Sequence, residues 1–273
     1  MTKPINLSTR WSRLVAIAML TASSSTLVLV ADAGAVPPGS IPSVQGDIPV
    51  AGDWFSGHFS RVGVFRQGEW FLGPTLTPGV PVVQYSTPGY KDAVPITGDW
   101  EGDDEYTPGA FKDGQWTLHD YIGTPATSIE WGSPGDIPLV GDWNGDGITT
   151  IGVRRGDHFY LRNSNTPGGI DIDVVWGLAS DVPVVGDWDG NHTFTIGVYR
   201  DGVWYLRNTN TPGGVDTTFS WGAPRDIPLV GDWDGNATTT VGVRRSDVFY
   251  QRNSNTSGPI DAAIQWGLPS IVT

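Results

Sequence analysis

The chain has 273 residues, of which 37 are glycine, 21 are proline, 13 are tryptophan and none is cysteine. The tryptophan content excludes simple disorder, because disordered chains lack aromatic side chains to bury, and the absence of cysteine excludes disulfides, thiolate metal sites and cysteine nucleophiles. With 16 basic against 29 acidic residues and a formal net charge of -13, the chain lacks the basic footprint of a nucleic-acid-binding protein.

The first 35 residues have the pattern of a secretory signal peptide. Three basic residues precede an apolar stretch over residues 14–30, and small residues at 31–35 offer a cleavage site for signal peptidase. Four polar residues at 23–26 interrupt the apolar stretch, which favours cleavage over the alternative of a retained membrane anchor. We therefore expect a mature chain of residues 36–273 that is secreted or held at the cell surface.

The mature chain consists of one repeat used five times. The tripeptide Gly-Asp-Trp begins at positions 52, 98, 141, 186 and 231, so its spacings are 46, 43, 45 and 45 residues. The copies begin near residues 47, 93, 136, 181 and 226, and each of the last four closes on Trp-Gly. A period of this length is the signature of a repeat architecture in which each copy forms one supersecondary unit.

Each copy contains four short β-prone runs separated by turn sequences. In the third copy the predicted strands cover residues 137–143, 150–155, 158–163 and 170–176. The runs alternate apolar and polar residues and are rich in Val, Ile, Thr and aromatic residues, whereas no stretch of the mature chain has helical periodicity. Four antiparallel strands per ~45 residues are typical of one propeller blade, so the sequence predicts an all-β, five-bladed β-propeller in a single domain.

The tryptophans and the chain ends complete this prediction. Every tryptophan except Trp11 recurs at a shared repeat position, and we interpret these side chains mainly as packing between blades. The last copy is complete through Trp266 and Gly267, so we expect the ring to close by direct docking of the end blades. A closing strand supplied by residues 36–45 or 268–273 is the alternative.

Two segments of the chain resemble a known repeat family. Residues 185–191 followed by 195–200, and residues 142–147 followed by 151–154, resemble the FG-GAP/VCBS-type repeats of integrin-α-like propellers and of many secreted bacterial proteins. The resemblance extends from Ile48 to Gly267. It implies an extracellular β-propeller that serves adhesion, carbohydrate binding or display. It also implies blade loops that often hold calcium through an Asp-x-Asp-x-Asp-Gly-x-x-Asp pattern.

Four blade loops offer candidate calcium ligands when they are placed in the frame of that family. The side chains at the first, third and fifth loop positions are those of Asp99, Glu101, Asp103, Asp142, Asn144, Asp146, Asp187, Asp189, Asn191, Asp232, Asp234 and Asn236. Calcium takes about six to eight oxygen ligands, and threonine replaces the family's carboxylate at the ninth position of all four loops, which lowers the charge of the site. The alternative is an Asx turn without metal, in which backbone amides donate to the Asp and the threonine also bonds back to it.

The first loop departs further from the family pattern. Phe55 and Gly57 replace two of the ligand positions, and Arg61 takes the ninth. That arginine is placed to neutralise Asp53 without any metal.

The repetition of one set of groups favours binding over catalysis. An enzyme site needs chemically different groups that converge, and the chain has neither a Gly-x-Ser-x-Gly elbow nor a His-Glu-x-x-His motif. The four histidines are interpreted as structural, at no common repeat position and each in a turn or an exposed strand. A glycosidase with carboxylates aimed into a central funnel is the least favoured alternative, because glutamates are scarce.

Grooves between the blades suit a carbohydrate. Each offers an aromatic side chain for the apolar face of a sugar, and five weak sites would gain avidity on a polymer or a cell surface. The candidate ligand-binding residues follow the third predicted strand and are Arg162, Asn163, Arg207, Asn208, Arg252 and Asn253. Two alternatives stay open, namely an ordinary hairpin loop at these positions and a structural cell-envelope scaffold that binds no small ligand. We expect a monomer whose partner is an extracellular glycan or surface protein, with no nucleic acid partner, no membrane span after cleavage and no cofactor other than calcium.

Overall fold

The computed structural model describes residues 46–73, 83–120 and 126–266. These residues form five four-stranded antiparallel sheets, so the fold is the predicted all-β, five-bladed β-propeller. Among them, no helix has the length and apolar character needed to span a bilayer. The predicted signal peptide and both segments of the alternative closing strand lie outside the described residues.

The four strands of each blade follow one another in chain order. Blade 1 contains β1 (Ile48–Gly52), β2 (Arg61–Arg66), β3 (Glu69–Leu72) and β4 (Val83–Ser86), followed by a 3-10 turn at Pro88–Tyr90. Blade 2 contains β5 (Val94–Gly98), β6 (Thr107–Lys112), β7 (Gln115–Leu118) and β8 (Thr127–Glu130). Blade 3 contains β9 (Ile137–Gly141), β10 (Thr150–Arg155), β11 (His158–Leu161) and β12 (Ile172–Val175). Blade 4 contains β13 (Val182–Gly186), β14 (Thr195–Arg200), β15 (Val203–Leu206) and β16 (Thr217–Ser220). Blade 5 contains β17 (Ile227–Gly231), β18 (Thr240–Arg245), β19 (Val248–Gln251) and β20 (Ala262–Gln265).

The strands of blade 3 lie inside the four predicted runs. The second strand has the predicted bounds, whereas the first and third end two residues early. The residues lost from these strands belong to loops that begin at Asp142 and Arg162, whose side chains bond to their own loop backbone. Side-chain to backbone bonds of this kind compete with the strand ladder, which accounts for the shorter strands.

A closed ring of backbone hydrogen bonds joins each blade to the next, just beyond the first strands of the five blades, which are called here the inner strands. The residue before each second strand, called here the junction residue, donates its N–H to the carbonyl of the Asp in the neighbouring blade's Gly-Asp-Trp. The pairs are Tyr106 to Asp53, Thr149 to Asp99, Phe194 to Asp142, Thr239 to Asp187 and Ser60 to Asp232. The last pair links blade 1 to blade 5, where β1 also lies beside β17. The end blades therefore close the ring by direct docking, as expected.

Much of the hydrophobic core joins neighbouring blades. Four of the five clusters in the described residues combine one blade with the second strand of the next, as where Trp204 of blade 4 packs with Val243 of blade 5. The fifth consists of blade 1 residues, with Tyr106 of blade 2 packed against it. The closing cluster is of the same kind, because Trp266 of blade 5 packs with Val64 of blade 1. Burial of a ring of ~150–250 Å² at roughly 25 cal/mol per Å² supplies about 4–6 kcal/mol. Aromatic packing thus supports a ring that has no disulfides.

The glycine of Gly-Asp-Trp is required by the close approach of two side chains. A Cβ atom added to Gly186 would lie 2.5 Å from Cγ2 of Thr239, the junction residue of the next blade, and 2.9 Å from the ring of Trp188. At Gly141 the corresponding distances are 2.9 Å to Cβ of Phe194 and 2.8 Å to the ring of Trp143. The tripeptide therefore recurs because it forms the contact between neighbouring blades.

Candidate ligand-binding sites

The Asp of each Gly-Asp-Trp holds the loop that follows it. In blade 3, Oδ1 of Asp142 accepts the backbone N–H groups of Gly145 and Asp146 at 2.7 and 3.1 Å, and Oδ2 accepts that of Gly147 at 2.7 Å. Backbone amides bind in the same way at Asp53, Asp99, Asp187 and Asp232. Each carboxylate is thus the acceptor of an Asx-type turn.

The other candidate calcium ligands are also arranged as turn residues. Oδ1 of Asp146 accepts the N–H of Ile148 at 3.0 Å, and equivalent bonds are made by Asp103, Asn191 and Asn236. The third-position side chains, those of Glu101, Asn144, Asp189 and Asp234, belong to exposed residues. In the described part of the chain, no group of three or more His, Cys, Asp or Glu side chains is arranged to hold a metal ion. This geometry is that of the Asx-turn alternative, and calcium binding stays a prediction.

The ninth loop position has two structural solutions. In blade 1, Nη1 of Arg61 lies 2.6 Å from Oδ1 of Asp53 and both side chains are buried, so this arginine neutralises Asp53 as predicted. In blade 3, the hydroxyl of Thr150 donates to two main-chain carbonyl oxygens at 3.2 and 2.7 Å. The expectation that this threonine bonds back to Asp142 is wrong, because its hydroxyl bonds to the carbonyl oxygens of Gly141 and Arg162 in the same blade while backbone amides occupy the carboxylate of Asp142.

Burial shifts the pKa of several carboxyl groups in these loops. It raises the pKa of Asp99, Asp187 and Asp232, although the backbone amide donors act in the opposite direction. In blade 2, desolvation and then a side-chain hydrogen bond with Asp120 raise the pKa of Glu101 to about 8. Glu101 therefore holds a proton near neutral pH, which weakens it as a cation ligand.

The arginines predicted to bind ligand are turned into their own loops. Arg162 is 5% exposed, and its guanidinium donates to the carbonyl of Gly169 and, at 2.8 Å, to the hydroxyl of Ser164. A Cβ atom on Gly168 would lie 2.7 Å from Nη1 of Arg162, which explains a glycine in the tract. The same inward arrangement occurs at Arg207 and Arg252.

The asparagines beside these arginines face a different environment. Asn163 and Asn253 are exposed and Asn208 is half-buried. The backbone N–H of Asn163 donates to Asp171 at 2.9 Å, which fixes the loop but leaves the role of its side chain undefined. The arginines therefore fit the hairpin-loop alternative, whereas ligand binding by the asparagines stays a prediction.

Grooves between neighbouring blades contain aromatic, aliphatic and cationic side chains. Between blades 2 and 3 a cavity of about 160 Å³ is lined by Trp131, Gly132, Val153, Arg155, Tyr160 and Ile170. The aliphatic side of this groove is open to solvent, since Ile170 is 51% exposed.

An ion pair and a ring fix the arginine of this groove. The guanidinium of Arg155 forms two bonds of 2.7 and 2.8 Å with buried Asp136, and lies 5.5 Å from the ring centre of Tyr160. Bidentate arginine–carboxylate pairs are geometrically specific, so the groove is preorganised. The same trio recurs as Arg200, Asp181 and Tyr205, and as Arg245, Asp226 and Tyr250.

A larger cavity of about 890 Å³, called here the axial funnel, lies where the Asp loops of all five blades meet. Its inner wall is formed by the fourth residues of the inner strands, Ala51, Thr97, Val140, Val185 and Val230. The five junction residues and the five turn aspartates line it further out. At its mouth are the fifth residues after each Asp, namely His58, Asp104, Gly147, His192 and Ala237.

Two interpretations of the histidines are wrong. His58 and His192 occupy the same loop position and both line the axial funnel. His119 lies in neither a turn nor an exposed strand, because it is 8% exposed and its ring lies 6.0 and 6.1 Å from those of Tyr85 and Tyr90.

The mouth of the axial funnel is the feature that sequence reasoning missed. The loop of blade 1 lacks the Asp, Asn or Glu side chains that the other loops have at their third and fifth positions, so an alignment by motif hides the correspondence of His58 and His192. Counting five residues forward from the Asp of each Gly-Asp-Trp identifies the equivalent mouth position in every blade. The side chain at this position varies among copies that are otherwise similar.

Comparisons with known proteins give structural likenesses only. No protein-family model matches the chain, and no curated protein matches it significantly. A lectin from Agrocybe aegerita, described as recognising non-reducing terminal N-acetylglucosamine, has a TM-score of 0.48 at 12% identity over 82% of this chain and 81% of its own. Two crystal structures of BBS1N in complex with ARL6DN, soaked with mercury and lead, have TM-scores of 0.41 and 0.43 at 12% and 11% identity. Both cover 86% of this chain, and 72% and 74% of their own.

Proposed function

We propose that this protein is a secreted, non-enzymatic β-propeller that binds an extracellular glycan through the repeated grooves between its blades. The observation that carries the proposal is the trio of arginine, aspartate and tyrosine beside three successive blade junctions. A sugar presents an apolar face to an aromatic ring and hydroxyl groups to fixed polar side chains.

Multiple grooves suit a repetitive partner. The groove between blades 2 and 3 has a volume of only about 160 Å³, so by itself it offers a ligand little burial. Several grooves on one rigid ring can bind the same polymer at once. After the first groove has bound, the polymer is held at a high effective concentration near the others, which raises the overall affinity. The proposed partner is therefore a polysaccharide or a densely glycosylated surface.

The alternative is a cell-envelope scaffold without a small ligand. Its support is that Arg155 already pairs with buried Asp136, so this arginine has a structural use that needs no ligand. On this alternative, the aliphatic side chains exposed beside the groove, such as Ile170, would contact protein rather than sugar.

A glycan array probed with protein collected from the medium of cells expressing the full chain tests the proposal. We expect binding to a restricted set of glycans, and loss of most of that signal in a variant with Tyr160→Ala, Tyr205→Ala and Tyr250→Ala. The matched control is Val175→Ser, which changes a residue that is 51% exposed and outside the grooves. A folded protein that binds no glycan on the array, with or without added calcium, would favour the scaffold.

A further inference from the structure

The side chains that differ between blades gather in the axial funnel. Junction residues line it in all five blades, and in three of them a hydroxyl accepts the backbone N–H of the neighbouring Asp. These three bonds run to Ser60 from Asp232, to Thr149 from Asp99 and to Thr239 from Asp187, at 3.0–3.1 Å. A serine or threonine at the junction position is therefore compatible with the fold of the ring.

Two blades use an aromatic residue instead. Tyr106 and Phe194 are the junction residues at the other two positions, and both line the funnel. Phe194 has no hydroxyl with which to accept the N–H of Asp142. Its ring packs in part against the core cluster of blade 3, and that of Tyr106 packs against the core cluster of blade 1, so both rings contribute to packing as well as to the funnel lining. Phe59, beside Ser60, adds a third ring to the lining. The funnel thus contains aromatic rings where a threonine is compatible with the fold.

The side chains at the mouth of the funnel also differ between blades in a way that the local turn does not require. The residue five positions after each Asp donates its N–H to Oδ2 of that Asp and has a positive φ. Glycine meets this need in blade 3 with a φ of 87°, and alanine occupies the position in blade 5. The side chains of His58, Asp104 and His192 are therefore not needed for the turn, yet they project from exposed residues around one cavity.

We propose that the axial funnel is a single-copy binding site for one unit of an uncharged saccharide. Phe59, Tyr106 and Phe194 supply apolar faces for the ring of the sugar, and His58, Asp104 and His192 supply hydrogen-bonding groups for its hydroxyls. A volume of about 890 Å³ lies in the usual range of small-molecule sites. The inference rests on the proposed glycan-binding function but assigns it a site distinct from the repeated grooves.

The charge of the wall selects against acidic sugars. The five turn aspartates line the funnel, and within the described residues only Asp53 among them forms an ion pair with an arginine. A carboxylate or sulfate on the ligand would meet like charge in a partly desolvated space, which is unfavourable. An uncharged saccharide avoids that repulsion and can still use the aromatic rings.

The test measures binding of triacetylchitotriose, cellotriose, mannotriose and trigalacturonate to the purified protein by calorimetry and by native mass spectrometry. We expect at least one neutral trisaccharide to bind with one molecule per chain, and trigalacturonate not to bind. In NMR spectra the imidazole signals of His58 and His192 are expected to shift on binding, while those of His119, whose ring lies against Tyr85 and Tyr90 outside the funnel, are expected to stay in place.

Two variants separate binding from folding. Phe194→Thr supplies the hydroxyl that blades 3 and 5 already use, and His58→Gly with His192→Gly supplies the residue best suited to a positive φ. The double histidine variant is expected to melt no lower than the wild type, whereas Phe194→Thr is expected to melt somewhat lower because the ring of Phe194 also packs against the core of blade 3. Both variants are expected to bind the neutral trisaccharide about tenfold more weakly or worse.

Three results would overturn the inference. These are binding of none of the three neutral trisaccharides, more than one molecule bound per chain without a shift of the two imidazoles, or unchanged affinity in both variants. In the last two cases glycan binding at the grooves still stands, so failure of the funnel site is distinguishable from failure of the proposed function.

Discussion

Blades 3–5 and blade 2 solve the same structural problem with different residues. In blade 3, Asp136 pairs with Arg155 and Arg162 organises the loop after the third strand. In blade 2 the residues at these three positions are Ala93, Lys112 and His119. Both sets of blades nevertheless keep the amide-bound aspartate and the junction hydrogen bond. The inner loop is therefore what the ring requires, and the outer arginines can be replaced.

The first prediction sharpens this comparison at the turn aspartate. Asp53→Ala leaves the guanidinium of Arg61 buried without its partner, so we expect the free energy of unfolding to fall by about 3–5 kcal/mol. Asp142→Ala removes the acceptor of three backbone amides but leaves no buried cation without a partner. We therefore expect the free energy of unfolding to fall by about 1–3 kcal/mol. Equilibrium unfolding in denaturant measures both values. Equal losses would contradict the role given to Arg61.

The second prediction concerns an exception inside the similar blades. Gln251 is 1% exposed, and its amide nitrogen and oxygen have no hydrogen-bond partner among the described residues, whereas Leu161 and Leu206 occupy its position in blades 3 and 4. Gln251→Leu should raise the free energy of unfolding by about 1–3 kcal/mol, because it removes a desolvated amide. Leu206→Gln is the matched reverse change and should destabilise. A loss of stability in Gln251→Leu would mean that the amide has a use in the fold.

The third prediction uses the acidic loop of blade 2. Because the pKa of Glu101 is raised from 4.5 to about 8, the stability that its protonated form contributes is fully present below pH 4.5 and is lost progressively as the pH rises to about 8. The melting temperature should therefore fall between about pH 5 and pH 8. Glu101→Gln should reduce that fall, whereas Glu130→Gln, which also changes an exposed glutamate of blade 2, should not. A fall of the same size in Glu101→Gln would remove Glu101 as its cause.

The smallest expected effect is that of removing calcium. The turn aspartates already accept backbone amides in all five blades, including blade 1, where an arginine stands in place of any metal. We therefore expect a chelator to shift the melting temperature by less than about 2 °C, which is below the effect of 1 kcal/mol in a domain of this size. A larger shift, reversed by calcium, would establish the calcium sites that the family resemblance implies.

Much of the fold could be predicted because each local sequence pattern recurs in several copies, and the copies support one another. The spacing of Gly-Asp-Trp gave five blades, and the apolar alternation gave strands such as β10 with correct bounds. The close contact of Gly186 with the next blade was not visible, although its recurrence was, since the contact partner Thr239 lies in another repeat. Periodicity predicts elements, whereas contacts between copies depend on the assembled ring.

The site was predicted less well, for a physical reason that two residues illustrate. Arg162 is polar and sits in a turn-rich tract, which is equally typical of a ligand contact and of a loop organised from within, and only the direction of its guanidinium decides. His192 is unremarkable in its own repeat and gains interest only because His58 shares its cavity. The axial funnel belongs to no single copy, so no motif within one copy could reveal it.

The direct contact of the end blades has a consequence for chain entropy. The bond between Asp232 and Ser60 spans 172 residues, whereas the equivalent bond between Asp99 and Thr149 spans 50. Because the entropy of closing a flexible loop grows with the logarithm of its length, the longer closure costs only about 1 kcal/mol more than the shorter one. One aromatic cluster between blades 5 and 1 outweighs that difference, so in the described residues side-chain packing is enough to offset the extra entropy of closing the ring.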